Sequence, residues 1–272
     1  MCQTAPAQIR NRIKKLLNEF ITISLLPSQK IGVTLIILGA FFIAGIIKGF
    51  LGIGLPPAAM VMLTLVIETP IAISLLTLPI IFTNLFQYWG CKSRLEIAKK
   101  YWLFAVSIMA SIFFMSLFIM SFPKSIISVT IGVAMISFSL SQMFGAKISF
   151  GNSSMWHFVM GTFAGVLGGL SSIWSPPVAM YLLARNVSKA EFIGATGFLF
   201  LAGSVPLAIG LGFAGVLTIN TILHSLIGLI SVLAGFWIGE WLRGFAQQHV
   251  FRKIVLWVFL IMGARLVAVG LT

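Results

Sequence analysis

Acidic side chains are scarce: five Asp and Glu stand against 18 Lys and Arg in 272 residues. Charged residues of either sign make up only 8% of the chain, against about 25% in a typical soluble domain. With only two cysteines, Cys2 and Cys91, there is no framework for disulfides or a cysteine zinc site. No carboxylate lies in the middle of a long apolar segment, which argues against a proton pump built on a buried acid. No His clusters with Asp or Glu, and no Ser stands beside a base, so no catalytic centre, metal site or cofactor site is indicated. His157 and His224 stand singly and read as packed or interfacial, and the twelve methionines are scattered like core filler. The net charge of +13 does not point to nucleic acid, because the cations sit in short flanks between apolar runs, as cytoplasmic loops require.

What fills the chain instead is apolar sequence, 59% of it. Apart from Lys48 and Glu68, residues 31–91 carry no charge, and 101–123, 125–146, 148–184 and 192–239 carry none at all. A spanning helix needs about 20 apolar residues. The chain therefore reads as an all-α polytopic membrane protein, multi-pass in the cell inner (plasma) membrane, with the lipid bilayer as its surroundings. Residues 1–30, with Arg10, Arg12, Lys14, Lys15 and Lys30 among Leu16, Leu17, Phe20 and Ile21, read as a basic amphipathic surface segment or a solvated basic tail. No small-residue cleavage site follows a compact apolar core, so a signal peptide is not expected.

Within the apolar sequence one motif occurs twice. Residues 56–63 and 176–183 both read P-P-x-A-M-x-x-L, and each follows a glycine-rich run, Gly49 to Gly52 and Gly165 to Gly168. Proline lacks the N–H that an interior helical bond needs but suits a first turn, so a helix must break before Pro57 and a short one must start there. Two repeats follow, 31–147 and 148–272. Each is expected to be a Gly/Pro-broken hairpin with its tip inside the membrane, followed by three transmembrane helices: 70–89, 101–121 and 125–143, then 190–213, 221–238 and 250–271. Basic links alternate between the copies: 90–100 is basic where 214–220 is bare, and 239–253 is basic where 122–124 is nearly bare. This pattern predicts inverted repeats with 90–100, 144–154, 185–189 and 239–253 in the cytoplasm. The same count puts residue 30 outside, against the preference of the basic tail.

Two short helices starting at Pro57 and Pro177 would aim their N-termini at one another, and a helix N-terminus attracts anions through unpaired N–H groups and its dipole. The candidate substrate-binding residues are Lys48, Gly52, Gly54, Pro56, Pro57, Ala58 and Ser74 from the first repeat, with Ser171, Ser172, Ser175, Pro176, Pro177, Val178 and Thr196 from the second. Small-residue packing is the competing account of the glycines, favoured for Gly49, Gly52, Gly165 and Gly168. For Lys48 both anion binding and snorkelling to the interface are open; for Arg265 snorkelling is the expectation. Glu68 and Glu191, at the hairpin ends, read as interfacial caps.

The second half in particular, with Gly165-Val-Leu-Gly-Gly169, Ser175-Pro-Pro177, Ala234-Gly-Phe-Trp-Ile-Gly239 and Phe251-Arg-Lys-Ile-Val255, resembles the sulfite exporter TauE/SafE family of membrane permeases. The resemblance covers about 31–271 and implies transport of a small anion, often sulfur-containing: sulfite, thiosulfate, sulfonate or sulfoacetate. Where the family tends to carry glycines, this chain has Ser171-Ser172-Ile173-Trp174-Ser175, which implies a narrower site richer in hydroxyls. An anion channel of the same fold, or a membrane-embedded enzyme, are the alternatives to a secondary permease.

Overall fold

The structure, a computed structural model, describes residues 27–63, 66–67, 69–118, 124–144, 154–171, 174–213, 217 and 219–271. The amphipathic reading of residues 1–26 and the roles of Glu68 and Ser172 fall outside these residues. The described residues form ten helices and no strand: α1 (Pro27–Leu51), α2 (Leu55–Leu63), α3 (Thr69–Trp89), α4 (Arg94–Ser116), α5 (Lys124–Met143), α6 (Ser154–Ser171), α7 (Ser175–Ala184), α8 (Lys189–Phe213), α9 (Ile219–Gly244) and α10 (Gln248–Leu271). Six of them contain a stretch long and apolar enough to cross a membrane. The protein is a multi-pass membrane protein.

Both breaks fall at the proline pairs. At the first, α1 ends at Leu51 and α2 begins at Leu55, just before Pro56 and Pro57. Gly52 (φ +74°) and Gly54 (φ +91°) reverse the chain between them, in a conformation that side-chain-bearing residues rarely adopt. A Cβ on Gly52 would also lie 2.5 Å from Ile193 Cδ1. α2 has nine residues and α7 ten, so each extends about 14–15 Å, half of a ~30 Å hydrocarbon layer. By contrast α1, with 25 residues, runs about 37 Å and is long enough to cross fully. α4 starts at Arg94, seven residues before the expected 101. The difference is the basic flank: Arg94, Lys99 and Lys100 are helical and carry α4 beyond its apolar span, with Glu96 in the first turn complementing the helix dipole.

Glycines set the closest helix pairs. α1 lies against α9, where a Cβ on Gly45 would be 2.3 Å from Val232 O and one on Gly49 would be 2.0 Å from Phe236 O. From the other side, a Cβ on Gly235 or Gly239 would lie 2.1 Å from Phe42 O or Ile46 O. α6 meets α4 in the same manner through Gly161, Gly165 and Gly169. α5 and α10 approach at Gly132 and Gly263. The packing expectation for Gly49 and Gly165 thus holds, each facing main chain of a neighbouring helix. Hydroxyls add bonds to main-chain carbonyls, Ser225 Oγ to Leu75 O and Ser231 Oγ to Leu38 O, both 2.7 Å.

Several of the basic links come together at one end of the bundle. Lys100 pairs with Glu191 (2.5 Å), to which the Tyr101 hydroxyl also donates (2.7 Å). Lys189 Nζ caps the end of α9 through Ala246 O (2.6 Å) and Arg243 O (3.2 Å). Arg252 donates to Asn186 Oδ1 (2.5 Å) and Gln142 Oε1 (2.6 Å). His157, buried among the rings of Tyr101, Phe104 and Tyr181, accepts from Arg185 Nη1 at 2.8 Å, and is a packed histidine as expected.

Candidate functional site

The tip of the first hairpin and the start of α7 meet at a cavity. It is lined by Lys48, Gly54, Leu55, Pro56, Asn84, Trp174, Ser175 and Phe200 and encloses about 300 Å³ including its mouth. Its level follows from α8: Phe200 lies eleven residues in from Lys189, about 16 Å along a 25-residue helix, near its middle. Inside, the space is tight, with room for roughly one water, so a larger occupant requires the tips to part.

Lys48 is the principal group in this cavity. It lies one turn before the end of α1, and its side chain is only 2% exposed. It does not snorkel. Its Nζ donates to Gly52 O (2.8 Å) and to Asn84 Oδ1 (2.5 Å) and stands 5.2 Å from the Phe200 ring centroid. All three partners are neutral, and neither of the ion pairs among the described residues, Lys100–Glu191 and Arg243–Glu240, involves Lys48. A buried ammonium without a counter-charge is costly, and an entering anion would complete it.

A second polar group braces the tip from α3. Gln87 Nε2 donates to Ile193 O (2.7 Å), Thr196 Oγ1 (2.9 Å) and Gly52 O (3.2 Å), tying the hairpin turn to α8. Trp174, 3% exposed, stands edge-on to Phe200, and its indole Nε1–H is buried without a hydrogen-bond acceptor among the described residues, 3.3 Å from where a Cβ on Gly203 would stand. A buried donor left unpaired calls for a partner, and a water molecule would serve.

The sequence-derived candidates separate into groups on this geometry. Lys48, Gly54, Pro56 and Ser175 line the cavity, while Gly52 adjoins it through Lys48 and Gln87. Thr196 is buried nearby, but its hydroxyl donates to Phe192 O (2.8 Å) in its own helix. Pro176 and Pro177 line a different, larger cavity, and Val178 is fully buried. Ser74 is buried on α3 ten residues before Asn84, about 15 Å away along the helix. Ala58 contributes no spare donor, because its N–H already bonds Gly54 O (3.0 Å). Pro56, Pro57, Pro176 and Pro177 have no N–H to give. In the first turn of α2 neither the prolines nor Ala58 offers a free N–H, which shifts weight from there to the side chains Lys48, Asn84 and Ser175 at the cavity. Asn84, Gln87, Trp174 and Phe200 were not singled out from the sequence. The legible signal was two amides at i and i+3 in an otherwise apolar helix, which places them on one face.

The sulfite exporter TauE/SafE family profile matches residues 37–266, which takes in both proline pairs, Lys48 and the whole lining of the cavity. The chain belongs to the TauE/SafE family. No curated protein and no solved structure matches it significantly. TauE/SafE membership makes it a membrane transporter and assigns sulfur-containing anions as the family's class of cargo.

Proposed function

We propose that the protein is a secondary permease for a small sulfur-containing anion of the sulfite, thiosulfate, sulfonate or sulfoacetate type, held between the two hairpin tips. The observation that carries this reading is Lys48, buried beside the cavity with only neutral partners. Ser175 adds a donor suited to oxyanion oxygens, and Asn84 fixes the ammonium by accepting from it. The test is a panel of labelled small anions in proteoliposomes. Saturable, counterflow-stimulated flux of one of them supports a carrier; flux without counterflow assigns a channel. Absence of flux for every anion rejects the reading. Ser175→Ala weakens binding of the transported anion by roughly 0.5–1.5 kcal/mol, the net worth of one hydrogen bond, measured as a shift in half-saturation.

The proposal includes two inverted repeats, 31–147 and 148–272. It is supported by the packing pattern, which exchanges between the halves: α1 lies on α9 as α6 lies on α4, and α9 lies on α3 as α4 lies on α8. The gathering of basic links at one end gives the same support from charge. In a background without Cys2 and Cys91, cysteines replacing Ser93 and Gly244 are labelled by an impermeant maleimide from the cytoplasm, and one replacing Ser125 from outside. Labelling of Ser93→Cys and Ser125→Cys from one side rejects the inverted arrangement.

A further inference from the structure

The larger cavity is a cleft between α5 on one side and α6 and α7 on the other, about 1020 Å³ including its open mouth. We propose that it binds one anionic phospholipid, with an acyl chain lying in the cleft and the phosphate at Arg252 and Arg185. The proposal is independent of the substrate reading.

The cleft exists because α5 packs on α10 and stands off the second hairpin. Its walls are apolar with isolated hydroxyls, and Ala134 and Ser137 on α5 and Phe163 on α6 are exposed along it. Thr130 and Ser141, both lining it, are eleven residues apart on one helix, about 16 Å, the depth of one bilayer leaflet. A single acyl chain has that length and profile.

The charge lies at one end. Ser141 lines the cleft, and the next residue, Gln142, accepts from Arg252. Tyr181 also lines it, and its hydroxyl accepts from Arg185 Nη1 at 3.0 Å. The described partners of Arg252 are amide oxygens, which hydrogen-bond the guanidinium without neutralising it. This end is the one at which the basic links gather, so the cations stand at headgroup level and the apolar walls run inward from them. The chain's own N-terminal segment is a poor occupant, since Arg10, Arg12, Lys14 and Lys15 would bring cations to a cationic rim. A second copy of the chain would bring the same sign again. An amphiphile with a narrow apolar tail and a negative head fits both ends.

The experiment is native mass spectrometry of the full-length protein in detergent, titrated with phosphatidylglycerol or with phosphatidylcholine of identical chains. Phosphatidylglycerol is expected to bind roughly tenfold or more tightly, as attraction to two basic side chains predicts. Arg252→Gln and Arg185→Gln each reduce that preference, while Ala134→Trp, which fills the cleft, lowers binding of both lipids. Thermal unfolding without lipid verifies that each variant is folded. Should an arginine variant unfold, Ala134→Trp and Ser137→Phe carry the test, since neither touches the polar cluster. Equal binding of the two lipids overturns the proposal, as does undiminished binding to both cleft-filling variants. So does a lipid preference unchanged in both arginine variants, a dimer closed across the cleft, or cross-linking of residues 1–26 into it.

Discussion

Lys48→Met abolishes saturable transport, while the protein continues to accumulate in the membrane. The variant keeps the length and apolar stem of the side chain and removes the one charge in the cavity. Hydrogen bonds to charged groups contribute about 1.5–3 kcal/mol, so affinity for the transported anion falls roughly 10- to 150-fold. The substitution also strands Gly52 O and Asn84 Oδ1, both of which now accept from the ammonium. Some stability is lost on that account, and a second variant separates the two effects. In Lys48→Met combined with Asn84→Leu, one orphaned partner is replaced by an apolar group of similar shape, which recovers stability but not transport. Affinity is read by equilibrium binding of the labelled anion, and stability by thermal unfolding in detergent. Normal affinity in Lys48→Met would remove Lys48 from the site and with it the main support for anion binding there.

Gly49→Val has the larger structural effect, and little folded protein is recovered. A Cβ at that position would sit 2.0 Å from Phe236 O and 2.9 Å from Glu240 N, both main-chain atoms that cannot rotate away. α1 and α9 must separate, and with them the main-chain approaches at Gly45, Gly235 and Gly239. Overpacking in a close-packed interior costs about 1–3 kcal/mol even where side chains can yield, and here backbone meets backbone. Gly39→Ala is the control on the same helix: nothing lies within 4 Å of its Cβ position. That variant is neutral or more stable, by up to about 1 kcal/mol, because alanine is the better helix former. The measurement is the monodisperse fraction after extraction together with the unfolding midpoint. Equal recovery of the two variants would mean that α1 and α9 do not need their close contact.

What could be read in advance was whatever is written along the chain. Proline pairs placed the breaks within two residues, and packing was the favoured account of Gly49 and Gly165, because both act on their own stretch of backbone; the partner glycines such as Gly45, Gly235 and Gly239 were not singled out. The cavity was less legible, since its parts meet across long separations. Lys48 reaches Asn84 over 36 residues, and Gln87 reaches Thr196 over 109. Burial places the Lys48 side chain inside the bundle, which sequence alone left open, because an apolar run does not say whether a lysine near its end points inward or up to the interface. The direction of α7 was also not on the page of sequence. Ser175 faces one cavity while Pro176 and Pro177 face another, so adjacent members of a single motif serve different surroundings.

The proline pairs have a consequence for how such a transporter diversifies. Main-chain amides are common to nearly every residue, so a pocket made from them is tied to the architecture and changes only when the backbone does. In each short helix the second and third residues have no amide hydrogen, and the proposed site draws instead on exchangeable side chains at the cavity. On the proposed site, selectivity is encoded at a few codons, those for Lys48, Asn84 and Ser175, and one scaffold can be retuned to a new anion by single substitutions that leave its helices where they are.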